Sequence, residues 1–256
     1  MTQGVAEVVP VSSSAQLVLV PWLLGWAPPE DRTTFAAGLH AGSCLGIAWA
    51  LRSDLRALDR HTALLIAGAS VPAALAGLVA ADAVEKRLGR PPQLAALLAA
   101  AGALMWWVDA RACRREAAQG GAPVSAAITH PADPVPVRAA LLAGAAQVIA
   151  LVPGVSRSGA TLTALRAAGV GRVEAERFSL LMSLPVTAGA AGLTLLRARS
   201  RAAPAGTAPG AAAAALAGAL AARLLLKHPG TPLRGAALYR LGLAAVVAVR
   251  VHRRRS

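Results

Sequence analysis

Two short stretches gather most of the side chains capable of chemistry. "EVVPVSSSAQ" (residues 7–16) carries one carboxylate, Glu7, a proline, and the consecutive hydroxyls of Ser12, Ser13 and Ser14. "LVPGVSRSGAT" (151–161) carries Arg157 between Ser156 and Ser158, with Thr161 one turn on and Pro153-Gly154 just before. An arginine in an apolar segment costs several kcal/mol unless it faces a cavity or a partner, so such a residue is read as functional by default. A guanidinium, hydroxyls and the free amides of a helix start suit a phosphate. A structural arginine paired with Glu7 is the alternative. Glu7 is the matching acid, able to act as a general base or to hold a divalent cation. The serines offer a nucleophilic hydroxyl beside it; helix capping and turn formation are their commoner use.

The rest of the chain must place these clusters in an apolar medium. Of 256 residues, 56% are apolar and only 15% charged, with a mean hydropathy of +0.55. No Asp, Glu, Lys or Arg occurs in 8–29, 33–51, 61–81, 91–108, 139–156, 178–196 or 202–222. A helix needs about 20 apolar residues to cross a bilayer, so these windows predict an all-α, polytopic integral membrane protein and exclude a soluble alanine-rich core. The net charge of +14 does not point to nucleic acid, because the basic residues flank apolar windows, as at Arg52, Arg90, Arg197 and the tail "RVHRRRS" (250–256). There they match anionic lipid headgroups. Trp22, Trp26, Trp106 and Trp107 near span ends read as interfacial anchors. No cleavable leader is evident. Cys44 and Cys113 form no framework, and Cys44 reads as a small packing residue.

Expected spans are 33–51, 61–81, 91–108, 178–196, 202–222 and, weakened by Arg240, about 235–249. The polar, Gly/Pro-bearing segment 110–136 reads as an exposed linker. The chain also repeats itself: Val11–Ala15 aligns with Val155–Gly159 at an offset of 144, Phe35 with Phe178 at 143, and "LAG" 75–77 with 216–218 at 141. One polar cluster followed by three spans in each half makes the second half enter from the opposite side, the inverted repeat of many transporters. The expectation is one membrane domain over 1–256: repeat one about 1–109, the linker about 110–136, and repeat two about 137–256. Pro10 and Pro153-Gly154 break helices. The clusters therefore read as tips of two re-entrant helical loops, where irregular backbone lines a protein cavity.

"QGVAEVVPVSSSAQL" (3–17) resembles the first signature of the BacA-type undecaprenyl pyrophosphate phosphatases, a (Glu/Gln)xxxGlu element followed by Pro-Val-Ser-Ser. "GAAQVIALVPGVSRSGAT" (144–161) is similar to their second, Pro-Gly-x-Ser-Arg-Ser-x-x-Thr, and "RFSLLMSLP" (177–185) to the segment that follows. The likeness runs from residue 3 to Tyr239-Arg240. It implies an inverted-repeat membrane fold that removes the terminal phosphate of undecaprenyl diphosphate, recycling the lipid carrier of peptidoglycan synthesis. It further implies bacitracin resistance, a bacterial inner-membrane location, and a divalent cation, Mg²⁺ or Ca²⁺, with Glu7 as its ligand. Carried over by position, Gln3 and Glu7 fill the first element and Ser13 falls on the proposed nucleophile, with Ser12 beside it. Ser156, Arg157, Ser158 and Thr161 fill the phosphate-binding signature. Glu7, Ser13 and Arg157 are thus the expected catalytic residues, and Gln3, Ser12, Gln16, Ser156, Ser158 and Thr161 the expected substrate-binding ones.

The sequence departs from that pattern at two points. Gly-His usually follows the serines, and here the pair is Ala15-Gln16; Gln16 can hydrogen-bond a phosphate but cannot shuttle protons. The first motif also lies close to residue 1, which makes the first arm of loop one short; a misassigned start codon or a degenerate paralogue would each explain it. His40, inside span 33–51, reads as a neutral, hydrogen-bonded intramembrane histidine, with partial replacement of the missing imidazole as the alternative. The rival function is a transporter or flippase for a lipid phosphate or another anion. Expected partners are the polyprenyl diphosphate and membrane lipids, with a homodimer left open.

Overall fold

A computed structural model describes residues 1–27, 31–118, 135–198 and 203–253, and among them every regular element is helical. Chain order is α1 Thr2–Val8, α2 Ser13–Leu24, α3 Arg32–Ala50, α4 Arg52–Ala57, α5 Arg60–Leu88, α6 Pro91–Ala118, α7 Val137–Ile149, α8 Arg157–Ala167, α9 Arg172–Arg197, α10 Thr207–Lys227 and α11 Arg234–Arg253. Five helical stretches are long and apolar enough to cross a membrane: Arg60–Ala81, Pro91–Ala118, Arg172–Arg197, Thr207–Lys227 and Arg234–Arg253. The chain is a multi-pass membrane protein.

The sixth expected span, 33–51, is helix α3, yet it is not among those five. Its composition follows its position. It packs against both α10 and α9, and its glycines and His40 serve that interior. A Cβ at Gly42 or Gly46 would run into the backbone of Ala211 or Ala215 on α10, so glycine at these two positions lets the helix axes close up, as small residues do where lipid supplies no hydrophobic drive. A helix shielded by neighbours needs less apolar surface than one facing lipid. The span weakened by Arg240 is the full 20-residue helix α11, because Arg240 is fully buried among protein carbonyls and presents nothing to lipid.

Each polar cluster sits between two short helices. α1 ends at Val8 and α2 begins at Ser13; α7 ends at Ile149 and α8 begins at Arg157. α1 packs against α10, and α7 packs against α5; α6 lies against both α8 and α11. The first nine residues of the expected linker, 110–118, continue α6 instead; the rest of it, apart from 135–136, lies outside the described residues. Charge pairing explains that extension. Asp109 Oδ1 accepts Arg166 Nε at 3.1 Å, and its Oδ2 accepts Arg172 Nη2 at 2.8 Å. Glu116 receives both terminal nitrogens of Arg166, at 2.5 and 3.0 Å. Arg166 is 1% exposed, and a buried cation survives only when paired and hydrogen-bonded. This network fixes the end of α8 opposite to the one that carries Arg157.

Candidate active site

Local backbone places the reactive groups. Ser12 and Ser156 are the two non-glycine residues with positive φ among the described residues, at 68° and 73°. Each is the residue before a helix, α2 and α8 respectively. A serine held there costs about 1–3 kcal/mol, and such strain concentrates at functional sites. The hydroxyls match as well: Ser12 Oγ lies 3.3 Å from Ser14 Oγ, and Ser156 Oγ 3.2 Å from Ser158 Oγ. Ser156 also caps α8 by accepting Gly159 N–H at 3.2 Å. Ser12 makes no capping bond, which leaves its hydroxyl for other uses.

Arg157, at the first position of α8, reaches across to the other cluster. Its Nη2 donates to the Glu7 carbonyl at 3.1 Å and to Glu7 Oε1 at 3.3 Å, and its Nη1 donates to the Ser179 carbonyl at 3.3 Å. Its Nε is buried with no partner among the described residues. On the other side of the carboxylate, Glu7 Oε2 lies 3.1 Å from Gln3 Nε2 and 3.2 Å from His40 Nδ1. Gln3 Nε2 is also 3.0 Å from His40 Nδ1. Ser13, half-buried, opens α2 directly after Ser12. Glu7 is 6% exposed and Gln3 3%, so the carboxylate sits in a dry setting where its two cationic or potentially cationic neighbours count heavily. Carboxylate, imidazole and guanidinium thus meet at one point built from α1, α3 and α8, with the serine turn that opens α2 next to α1. This arrangement can grip an anion, move a proton and present a nucleophile.

Two expected residues lie apart from that point. Gln16 is buried, but its amide donates to the Val11 carbonyl at 3.2 Å and its oxygen accepts the Tyr239 hydroxyl at 3.0 Å. One end closes the turn before α2 and the other ties α2 to α11. Thr161 has no exposed surface; its hydroxyl sits 2.6 Å from Ser179 Oγ and bonds the Arg157 carbonyl at 3.0 Å. It supports the turn that carries Arg157.

The model of the family described as bacitracin resistance protein BacA matches residues 1–246. The chain belongs to the BacA family. It is 40% identical over 246 residues to an undecaprenyl-diphosphatase of Geobacter sulfurreducens, covering 88% of this chain and 85% of that protein. It is 39% identical over 221 residues to an undecaprenyl-diphosphatase of Pelobacter propionicus, covering 80% and 75%. It is 32% identical over 213 residues to undecaprenyl-diphosphatase 2 of Stutzerimonas stutzeri, covering 77% and 73%.

Within this family member, three buried polar residues give no local signal of their role in the sequence. Ser179 holds both Arg157 and Thr161, but a serine in an apolar span reads as packing. Arg240 donates to the Pro10 carbonyl at 2.6 Å and to the Val155 carbonyl at 3.1 Å, where its sequence context suggested only a poor span. Gln147 sits 144 residues after Gln3, and both its amide atoms are buried without a partner. The repeat offset already on hand for the two serine clusters would have found it.

Proposed function

We propose that this chain is a membrane phosphatase that cleaves undecaprenyl diphosphate to undecaprenyl phosphate and phosphate. In this reading it works in the bacterial inner membrane, recycles the lipid carrier of peptidoglycan synthesis and confers bacitracin resistance. The observation that carries it is the Arg157 guanidinium set against Glu7 at the start of α8, in a family whose relatives bear that enzyme's name. The transporter reading has no comparable support. Two halves exchanged by an inverted repeat fit the paired serine turns and the matched contacts of α1 with α10 and α7 with α5.

In this mechanism Arg157, with Ser156 and Ser158, grips the terminal phosphate through charge-assisted hydrogen bonds. The Ser13 hydroxyl attacks phosphorus in line with the lipid-phosphate leaving group. Its proton passes to Glu7, which Gln3 and His40 hold in place, and water then releases phosphate from the serine. Charge gathers on the phosphoryl oxygens during transfer, so preorganised donors supply most of the acceleration. The described residues contain no group of three His, Cys, Asp or Glu side chains able to hold a metal. Glu7 and the partnerless buried Gln3 Oε1 nonetheless suit a hard cation that takes its remaining ligands from the diphosphate. Bound Mg²⁺ or Ca²⁺ would neutralise phosphoryl charge.

Purified protein in detergent, given undecaprenyl diphosphate and Mg²⁺ or Ca²⁺, is expected to release phosphate. No release above an Arg157→Ala control refutes the assignment. His40 lies on Glu7 and position 16 does not, so the imidazole that this family member lacks after its serines is supplied from α3. Accordingly His40→Ala should lower kcat by about 10²-fold, the lower range for a positioned acid or base. Adding Gln16→His should not restore it, because position 16 faces Val11 and Tyr239. Recovery of the rate in the double variant would show that the side chain at 16 turns into the site.

A further inference from the structure

Arg240 has no exposed surface and, among the described residues, no carboxylate partner. Instead its guanidinium bridges two backbone carbonyls from opposite ends of the sequence. Nε donates to Pro10, two residues before the strained Ser12, and Nη1 donates to Val155, one residue before the strained Ser156. The preceding residue of α11, Tyr239, holds α2 through Gln16. Room for the guanidinium comes from two glycines. A Cβ on Gly159, in the first turn of α8, would meet Arg240 Nη2, and one on Gly102 of α6 would lie 3.1 Å from Arg240 Cβ. Arg240 Nη2 is buried with no partner among the described residues, so this partly satisfied cation is an expensive way to join two loops, since a lone buried charge is penalised unless its surroundings compensate it. A planar fork, however, can bind two carbonyls at once in a fixed geometry, which an ammonium cannot do.

We infer that Arg240 is a positioning residue for phosphoryl transfer: it fixes the two loop tips in one register, and so sets the Ser13 hydroxyl and the Arg157 guanidinium at the spacing the reaction needs. This rests on the phosphatase reading above. A misplacement of about 1 Å costs roughly 10²-fold in rate, while each loop keeps its own groups for holding diphosphate. The signature is therefore a fall in kcat with little change in KM.

The test is a double-mutant cycle on the full chain in detergent, with Arg240→Lys and Gly159→Ala. Arg240→Lys is expected to lower kcat by about 10²-fold and to change KM by less than about threefold. Gly159→Ala gains helix propensity but sets a methyl against Arg240, so a purely structural account predicts a lower thermal midpoint with the specific activity of the folded fraction unchanged. The positioning account predicts at least about a tenfold loss of kcat, because the new methyl displaces the guanidinium. In the Arg240→Lys background the same change should cost much less, since contacting residues do not act additively. Additive effects, or equal losses in kcat and in thermal midpoint with KM raised, overturn the inference. A second readout needs no turnover: spin labels at the exposed positions 24 and 167, in a chain without Cys44 and Cys113, report the separation of α2 and α8. The distance distribution should shift or broaden in Arg240→Lys, and an unchanged distribution overturns the inference. If the unmodified chain releases no phosphate, the phosphatase reading fails, and the spin-label result still decides whether Arg240 sets the loops.

Discussion

Replacing Arg157 by lysine is expected to remove nearly as much activity as replacing it by alanine. The guanidinium makes three bonds in three directions, to the Ser179 carbonyl, the Glu7 carbonyl and Glu7 Oε1. Those bonds aim the plane of the fork, and its buried, unpartnered Nε is a donor left for an incoming anion. Lysine keeps the charge but has a single nitrogen, which can neutralise Glu7 or meet phosphate but cannot hold a bidentate geometry. Loss of one preorganised donor typically costs about 10²–10³-fold in kcat, and both variants should fall at least that far. They should differ in stability. Arg157→Ala leaves the buried Glu7 with only Gln3 and His40, and breaking a buried pair costs up to about 3–5 kcal/mol, whereas lysine retains a countercharge. Thermal midpoints measured beside phosphate release therefore separate geometry from charge. Lysine activity within about tenfold of the unmodified protein would show that charge alone suffices.

The membrane class and the two reactive clusters were legible because they depend on local composition. Charge-free windows mark α5, α6, α9 and α10 directly, and proline beside serine marks the turns before α2 and α8. What sequence could not supply was partnership across distance. Arg240 looked like a flaw in a span because its two acceptors, Pro10 and Val155, lie far away along the chain. His40 looked like a bland interior histidine because Glu7, on another helix, gives it its role. Gln16 looked available to phosphate because one of its partners, Tyr239, is on α11, far along the chain; the other, Val11, is local. The opposite error came at 110–118, where charge suggested an irregular linker. Those residues continue α6 with most side chains still exposed, and Glu116 is consumed by Arg166. A polar residue in a membrane chain can be read as exposed, structural or catalytic, and only its partners decide among the three.

Ser13→Ala is expected to abolish turnover while leaving diphosphate binding largely intact. Ser13 opens α2 directly after the strained Ser12, and α2 packs against α1, which carries Glu7, so the proposed nucleophile and its base sit on neighbouring helices. A nucleophile acts mainly in the transition state, and removing a serine nucleophile or its base costs on the order of 10⁴–10⁶ in kcat. The groups that hold the anion, Arg157, Ser156 and Ser158, lie on the other loop and stay in place. Binding of undecaprenyl diphosphate, measured by titration without turnover, should therefore change by less than about threefold, since lost kcat with retained binding marks an interaction made only in the transition state. Glu7→Gln should also lose turnover, but for two reasons together: it removes the base and it unpairs Arg157 and His40. Its thermal midpoint should fall where that of Ser13→Ala does not. The comparison also decides the chemistry. If Ser13→Ala keeps most of its rate while Glu7→Gln is inactive, the attacking group is a water activated by Glu7, and the serine turn serves to hold the substrate.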